Sequence, residues 1–293
     1  MKGIVLAGGS GTRLYPITLT TSKQLLPLYD KPMIYYPLSI LFEADIREIV
    51  IISTPKHIDL YKELLGTGED FGVKFYYVIQ QEPRGIAEAF LISEDYIKEE
   101  NVALILGDNV FYGDIIYDII EKGKKIKEGA LISAYYVKDP QRYGIVEFDK
   151  EGKPSKIVEK PKNPKSNYAV MGLYFYDKNV IYYAKELKPS QRGELEITDL
   201  NNIYLEEGKL NVIKIDKGLA WLDTGTPSSL LEAANFIETI QNRQGLMIAA
   251  LEEIAYLKGF ITLEKLKERA KYFENSEYGK YLLRRIKEFE NEI

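Results

Sequence analysis

A glycine-rich loop that ends in an arginine is the part of this sequence best suited to chemistry. An apolar run over residues 2–7 leads directly into Gly8-Gly9-Ser10-Gly11-Thr12-Arg13. Glycines let backbone N–H groups turn toward a bound anion without a Cβ in the way, and an arginine can then hold a phosphate oxygen. An ordinary strand-to-helix turn needs only one or two glycines. The loop therefore predicts that the protein binds a phosphorylated small molecule.

Two common phosphate loops do not fit this pattern. The Walker string G-x-x-x-x-G-K-[ST] is absent, and the dinucleotide pattern G-x-G-x-x-G fails because Leu14 stands where its third glycine should be. The acid expected about twenty residues further on would be Asp30, which lies in a turn-like stretch between prolines. A nicotinamide-dependent oxidoreductase is therefore the least favoured alternative.

Two aspartates follow short apolar runs and precede small residues, as Gly107-Asp108-Asn109 and Asp223-Thr224-Gly225. Carboxylates at two strand ends could share one Mg²⁺, an ion that takes few carboxylates together with water and phosphate oxygens. This arrangement favours a phosphoryl or nucleotidyl transferase. The alternative is that each aspartate only caps the helix that follows it.

Further side chains could complete such a site. Lys23 and Lys160 are candidate phosphate ligands, although most lysines are solvated surface charges. The Gln80 amide could read the edge of a base, and Gly85 could let that base approach the backbone; an ordinary loop is the alternative. Tyr143-Gly144 could form the floor of a sugar site, although tyrosines along a strand more often pack in the core.

The apolar pattern predicts an α/β scaffold with a Rossmann-like, mostly parallel sheet. Apolar runs at 2–7, 48–53, 73–79 and 102–106 alternate with helical stretches. Such runs are typical of parallel strands covered by helices on both faces, and ligands bind such sheets at the carboxyl ends of the strands. The glycine loop and Asp108 each follow a strand, so we expect them at the same edge.

The rest of the chain predicts an added β part and a helical end. Strand-like runs separated by glycine and proline recur over 129–225, and the pattern after Thr226 is mostly helical. We predict an α/β core over 1–243, with a nucleotide part over about 1–128 and the β part for the sugar after it. A helical C-terminal appendage would span 244–293.

Composition excludes several functional classes. The chain has no cysteine, which rules out disulfides and thiolate catalysis, and its one histidine, His57, rules out a multi-histidine metal site within one chain. A net charge of −5 gives no basic field for nucleic acid. The apolar runs are too short to span a membrane and no signal peptide is visible, so we expect a cytoplasmic protein. His57 is expected at the surface.

Taken together, these motifs resemble the sugar-1-phosphate nucleotidyltransferases, and within that family the glucose-1-phosphate thymidylyltransferases. The resemblance runs almost end to end. It rests on the strings at residues 2–14, 22–27, 30–38, 106–109, 142–144, 192–199 and 221–226. One departure is Arg84, which stands where relatives usually carry an aspartate.

The resemblance implies a reaction and an assembly. In that family, Mg²⁺-bound dTTP reacts with α-D-glucose 1-phosphate to give dTDP-glucose and pyrophosphate, the first step of dTDP-L-rhamnose biosynthesis. The sugar phosphate is already nucleophilic at neutral pH, so positioning and cations would supply the catalysis and no general base is needed. The family also implies a homotetramer built as a dimer of dimers.

The resemblance assigns the site residues as well. Catalysis would rest on Arg13, Lys160, Asp108 and Asp223, with the two aspartates on Mg²⁺. The nucleotide would contact Gly8, Gly9, Ser10, Gly11, Thr12, Arg13, Lys23, Gln24, Gln80 and Gly85. The sugar phosphate would contact Asn109, Tyr143, Gly144, Glu159, Lys160 and Val170.

Two other functions stay open. A uridylyltransferase would use UTP in place of dTTP, since uracil and thymine differ by a single methyl group. A catalytically silent protein that binds nucleotide sugars as a regulator could share the fold. This chain retains Arg13, Lys160 and both aspartates, which favours activity.

Overall fold

A computed structural model of the protein describes residues 1–9 and 11–291. In chain order its strands are β1 Lys2–Leu6, β2 Pro27–Leu28, β3 Lys31–Pro32, β4 Glu48–Ser53, β5 Lys74–Ile79, β6 Val102–Leu106, β7 Asn109–Tyr112, β8 Ala130–Tyr136, β9 Gly144–Phe148, β10 Pro154–Glu159, β11 Tyr168–Tyr176, β12 Leu210–Ile215 and β13 Ala220–Asp223. Its α-helices are α1 Tyr35–Glu43, α2 Ile58–Leu65, α3 Glu88–Ile92, α4 Glu94–Ile97, α5 Ile115–Lys124, α6 Val180–Glu186, α7 Ile197–Glu206, α8 Pro227–Gln244, α9 Leu251–Leu257, α10 Leu263–Tyr272 and α11 Glu277–Asn291.

The centre of the fold is a parallel sheet in the strand order β6-β1-β4-β5. The continuous apolar sequence of β4 is buried along almost its whole length, as expected for a strand that has helices on both faces. The predicted α/β class is therefore confirmed. The carboxyl ends of β1, β5 and β6 lead into the glycine loop, Gln80 and Asp108 respectively, which brings these three segments to one edge of the sheet.

Strand β11 joins this parallel half to the added antiparallel strands. Residues 173–176 of β11 pair with β6, whereas Ala169 pairs with Ile145 of β9. Along its other side β11 pairs with β8, with a register shift between Val170 and Tyr174. Because β11 changes partner from β9 to β6 near Gly172, the two strands separate there and leave room for a cleft.

A two-stranded ribbon lies against the carboxyl edge of the sheet. After β6 the chain turns at Asp108 into the short strand β7, which pairs with β13 so that Asp223 stands opposite Asn109. Neither aspartate caps a helix: a strand follows Asp108, and the cap of α8 is Thr226, whose hydroxyl accepts from the Ser229 N–H. The helix-cap alternative is therefore wrong. Strand β7 was not predicted, because four residues after a tight turn carry too little pattern.

The C-terminal helices pack on the same core as the sheet. Leu251, Leu266 and Leu282 are fully buried in one cluster with Phe42 of α1. Glu252, also fully buried, accepts hydrogen bonds from Arg269 and Tyr278, as a buried carboxylate must to offset its lost hydration. The division of the chain at residue 243 stays a prediction. Within the described residues, no helix combines the length and the apolar character that crossing a membrane requires.

The expectation that His57 lies at the surface is wrong. His57 precedes α2 and is only 9% exposed, because the turn closed on the Thr54 carbonyl holds the ring against its own loop. Nδ1 lies 3.1 Å from the Thr54 hydroxyl, and Nε2 has no hydrogen-bond partner among residues 1–9 and 11–291. Burial, assisted by the charge of Lys56, lowers the pKa of this imidazole.

This histidine should make stability depend on pH. At pH 7.5, well above the ordinary histidine pKa of 6.5, the ring is mostly neutral in both the folded and the unfolded chain. As the pH falls, the unfolded chain takes up the proton first, so the free energy of unfolding decreases. Urea unfolding at pH 7.5 and 5.5 should show a smaller decrease for His57→Gln than for the parent chain. Equal decreases in both proteins would contradict this assignment.

Candidate active site

Two adjoining cavities at the carboxyl edge of the parallel strands contain most of the predicted site residues. A larger compartment of about 530 Å³ and a smaller one of about 230 Å³ share Ile86, Leu106 and Asp108 as lining residues. The larger compartment is lined by the predicted residues Arg13, Asp108, Asn109, Tyr143, Gly144, Glu159, Lys160, Val170 and Asp223. The smaller compartment is lined by the predicted residues Gly8, Gly9, Gln24, Gln80 and Gly85.

Three further predicted residues that the structure describes, Gly11, Thr12 and Lys23, lie outside the walls of both compartments. Gly11 and Thr12 begin a single 3₁₀ turn that continues the loop, and Thr12 is exposed. Lys23 is buried and reaches the cleft only through Asp108. Ser10 lies outside the described residues.

The glycine loop adopts backbone conformations that side chains disfavour. Gly9 has φ +101°, and Gly11 has φ +59° with its carbonyl accepting a 2.7 Å hydrogen bond from the Thr18 hydroxyl. Both angles lie in the left-handed region that glycine enters at little cost. Gln24 helps to hold the start of the loop, since its Nε2 donates to the Gly8 carbonyl at 3.4 Å. The sequence thus explains both the shape of the loop and its position.

Asp108 is held by a cation and by an amide. Its Oδ2 accepts from Lys23 Nζ at 2.7 Å, and its Oδ1 accepts from Asn109 Nδ2 at 2.9 Å. The Asn109 carboxamide has further partners, because its Oδ1 accepts from Trp221 Nε1 at 2.6 Å and from the Gly172 N–H at 3.2 Å. Asn109 therefore ties β7, β11 and β13 together and fixes the orientation of the neighbouring carboxylate.

Asp223 is likewise held by hydrogen bonds, in its case from three donors. Arg142 Nη2 donates to Oδ2 at 2.6 Å, the Tyr143 hydroxyl donates to the same oxygen at 3.1 Å, and the Gly225 N–H donates to Oδ1 at 2.6 Å. Burial, with a smaller contribution from the Asp223 charge, raises the pKa of Tyr143 to about 12. The Tyr143 hydroxyl therefore keeps its proton at neutral pH and remains a donor.

These two carboxylates fit a Mg²⁺ ion. Asp108 adjoins Asn109, which stands opposite Asp223 in the ribbon, and both aspartates line the larger compartment. Across the described ranges 1–9 and 11–291 no group of three or more His, Cys, Asp or Glu side chains could enclose a metal alone. Mg²⁺ commonly takes one or two carboxylates and completes its shell with water and substrate phosphates. The donor set matches that preference, and the ion itself stays a prediction.

Glu159 presents a carboxylate on the far wall of the larger compartment. Its Oε2 accepts from the Thr198 hydroxyl at 2.6 Å, and Lys160 Nζ lies 3.3 Å from Oε1. A Cβ at Gly144 would lie within 3.2 Å of both the Thr198 hydroxyl and the Glu159 carboxylate. Glycine at 144 therefore leaves the space that a ligand needs in front of Glu159.

Besides Arg142, the basic side chains of Arg13 and Lys160 border the larger compartment. Arg13 makes no hydrogen bond or ion pair with the part of the chain that the structure describes, and its Nη1 lies near the turn at Gly225. Lys160 has φ +41°, and its N–H donates to the Tyr143 carbonyl at 3.0 Å. A left-handed conformation at a non-glycine residue costs about 1 kcal/mol and is characteristic of functional positions.

Sequence reasoning assigned no role to several residues that shape this cleft. Arg142, Trp221 and Thr198 contact Asp223, Asn109 and Glu159 respectively. All three lie in strings that carry the family resemblance, so the signal was present. Their roles depend on tertiary contacts between distant segments, which spacing alone does not reveal.

This chain is similar to a known protein family and to named enzymes of several bacteria. Residues 2–240 match the family model described as nucleotidyl transferase. A glucose-1-phosphate thymidylyltransferase of Neisseria meningitidis serogroup A is 54% identical over 287 residues, covering 98% of this chain and all of the relative. A protein of the same name from Mycobacterium tuberculosis is 52% identical over 283 residues, covering 97% of this chain and 98% of the relative.

Solved structures give the same relationship. A Bacillus anthracis protein assigned as a glucose-1-phosphate thymidylyltransferase and crystallised with sucrose superposes with a TM-score of 0.74. It is 46% identical, over 80% of this chain and 94% of that one. A UDP-glucose pyrophosphorylase in complex with UDP-glucose superposes with a TM-score of 0.68. It is 26% identical, over 82% of this chain and 98% of that one.

The backbone strain at Lys160 can be measured. Because φ is positive there, Lys160→Gly should be more stable to unfolding than Lys160→Ala, by about 1 kcal/mol. At the exposed Lys162, where φ is not positive, glycine should instead be no more stable than alanine. Urea unfolding of the four variants gives both differences. If alanine is at least as stable as glycine at position 160, as expected at position 162, then Lys160 is not strained.

Proposed function

This chain belongs to the nucleotidyl transferase family, and on that premise we propose that it transfers a thymidylyl group from dTTP to α-D-glucose 1-phosphate. The products are dTDP-glucose and pyrophosphate. One observation carries this proposal: five of the residues expected to bind the nucleotide line the smaller compartment, all six expected to bind the sugar phosphate line the larger one, and the two compartments meet at Asp108. A nucleotidyl transfer needs this arrangement, since two phosphorylated substrates must react at a shared boundary.

In this proposal the smaller compartment receives the nucleotide. The base lies beside Gln80 and Gly85, and the phosphates follow the glycine loop toward Arg13. The larger compartment receives the sugar phosphate. Glu159, oriented by the Thr198 hydroxyl, accepts hydrogen bonds from sugar hydroxyls.

The chemistry is an in-line displacement at phosphorus. An oxygen of the sugar phosphate forms a new bond to the α-phosphorus while the bond from that phosphorus to the oxygen bridging to the β-phosphate breaks. Pyrophosphate departs with the bonding electron pair, so no proton transfer is required. The protein must hold two repelling anions in line, and Arg13 and Lys160 supply positive charge on the walls of the larger compartment.

Asp108 and Asp223 would hold Mg²⁺ at the boundary. When bound, the ion supplies positive charge to phosphate oxygens whose own charge otherwise opposes the attack. The chain's own residues keep the two carboxylates in place: Lys23 and Asn109 hold Asp108, as described above.

The proposal is tested by mixing the protein with MgCl₂, dTTP and glucose 1-phosphate, then measuring pyrophosphate release and dTDP-glucose by chromatography. A parallel reaction with UTP tests the uridylyltransferase alternative, for which the similarity to a UDP-glucose pyrophosphorylase is a specific reason. Higher kcat/KM with UTP would favour that alternative. Binding of dTDP-glucose with no product from either nucleotide would favour a regulator.

The two aspartates should each be essential for turnover. Asp108→Asn and Asp223→Asn keep the shape of the side chain but remove its charge, and we expect each to lower kcat at least about 100-fold. Asp118→Asn, on the exposed face of α5, is the matched control and should leave kcat unchanged. Full activity in either cleft variant would exclude its proposed metal role.

Finer points of the proposal depend on the family resemblance. They are the requirement for Mg²⁺, a place at the first step of dTDP-L-rhamnose biosynthesis, a cytoplasmic location and assembly as a homotetramer. Titration with EDTA and MgCl₂ tests the first. Light scattering on the purified protein tests the last, and a mass of one or two chains would contradict it.

A further inference from the structure

A buried carboxylate lies directly behind Gln80, which lines the smaller compartment. Glu88 at the start of α3 is 4% exposed, and its Oε2 accepts a 2.8 Å hydrogen bond from Gln80 Nε2. Its Oε1 accepts from Arg84 Nε at 2.8 Å and also lies 2.7 Å from Arg84 Nη2. The Arg84 guanidinium therefore neutralises the Glu88 carboxylate on one side, and the Gln80 amide occupies its other side.

This contact determines which way the Gln80 amide faces. An ionised carboxylate has only acceptor oxygens, so the group that Gln80 turns toward Glu88 must be its NH₂. The same NH₂ also lies 3.4 Å from the Gly85 carbonyl, a second acceptor. Reversing the amide would set its oxygen against two acceptors at a buried site, which is costly.

The opposite end of the amide faces the cavity. A Cβ built on Gly8 would lie 2.9 Å from Gln80 Oε1, so this oxygen points toward the glycine loop. Gly8, Gln80 and Gly85 all line the smaller compartment. Gln80 therefore presents a fixed hydrogen-bond acceptor to whatever base enters.

We propose that Glu88, paired with Arg84, is a positioning residue. By orienting Gln80 it makes the site select thymine and uracil over cytosine. Thymine and uracil carry an N–H donor at N3, which matches the Gln80 oxygen, whereas cytosine carries an acceptor there. This inference rests on the proposed function, because it takes Gln80 as the contact to the base. A hydrogen-bonding mismatch at a buried polar group discriminates more strongly than a missing methyl group does.

The decisive variant is Glu88→Gln, which can both donate and accept and so no longer dictates the Gln80 orientation. We expect the ratio of kcat/KM for dTTP over dCTP to fall at least about 10-fold, with most of the change in KM. Glu82→Gln, an exposed carboxylate of the same loop, is the matched control and should leave the ratio unchanged. A ratio within twofold of the parent value in folded Glu88→Gln would overturn the proposal.

Two further measurements keep the test decisive. If Glu88→Gln does not fold, Arg84→Met replaces it as the test, because it removes the paired cation from an exposed position. This variant should also lower the ratio of kcat/KM for dTTP over dCTP. An unchanged ratio would overturn the proposal. Calorimetric titration of the parent and variant with dTTP and dCTP measures the same preference without turnover. If the parent shows this preference in binding, Glu88→Gln loses it, and the parent makes no dTDP-glucose, the proposed function would be contradicted and the role of Glu88 supported.

Discussion

The pairing of β13 with β7 is the constraint on which the cleft depends. It places Asp223 opposite Asn109, the neighbour of Asp108, although more than a hundred residues separate these positions along the chain. The backbone hydrogen bonds of a ribbon fix this register, since a shift of one residue would turn every side chain to the other face. Trp221 reinforces it, because its indole donates to Asn109 across the same ribbon. Both carboxylates are thus positioned by backbone geometry.

Each aspartate of the cleft forms an ion pair with a nearby basic side chain. Lys23 pairs with Asp108 at 2.7 Å and Arg142 pairs with Asp223 at 2.6 Å, with side chains that are between 9% and 38% exposed. An ion pair in contact with water, such as that of Arg142 with Asp223, contributes little, commonly about 1 kcal/mol or less, whereas Lys23 is buried. Arg13 has no such partner within the described residues and is the cation most open to an anion. In the proposed reaction, Arg13 and Arg142 would therefore be more accessible to a substrate phosphate than Lys23.

The sequence predicted the regular elements well and the supporting contacts poorly. The apolar runs gave β1, β4, β5 and β6 to within a residue or so, because strands buried on both faces carry a strong pattern. The glycine loop and the strand-end aspartates were recognisable because each needs a particular residue type at a particular place. Asn109 illustrates what was missed: its expected contact with the sugar stays a prediction, and spacing did not reveal its hydrogen bonds with Gly172 and Trp221, which only the fold brings near it. No local pattern encodes such contacts.

Arg84, which stands where the family resemblance leads us to expect an aspartate, takes part in the same kind of contact. Its guanidinium pairs with the buried Glu88, the residue proposed to orient Gln80. If Gln80 contacts the base as proposed, recognition of the base divides into two physical tasks. A fixed acceptor at Gln80 would match thymine and uracil equally, because both present the same N–H. Separating those two bases depends instead on a methyl group, which contributes roughly 1–3 kcal/mol in an apolar pocket, and on contacts to the sugar of the nucleotide. In the proposed site, exclusion of cytosine and choice between dTTP and UTP would therefore be independent properties, carried by different residues.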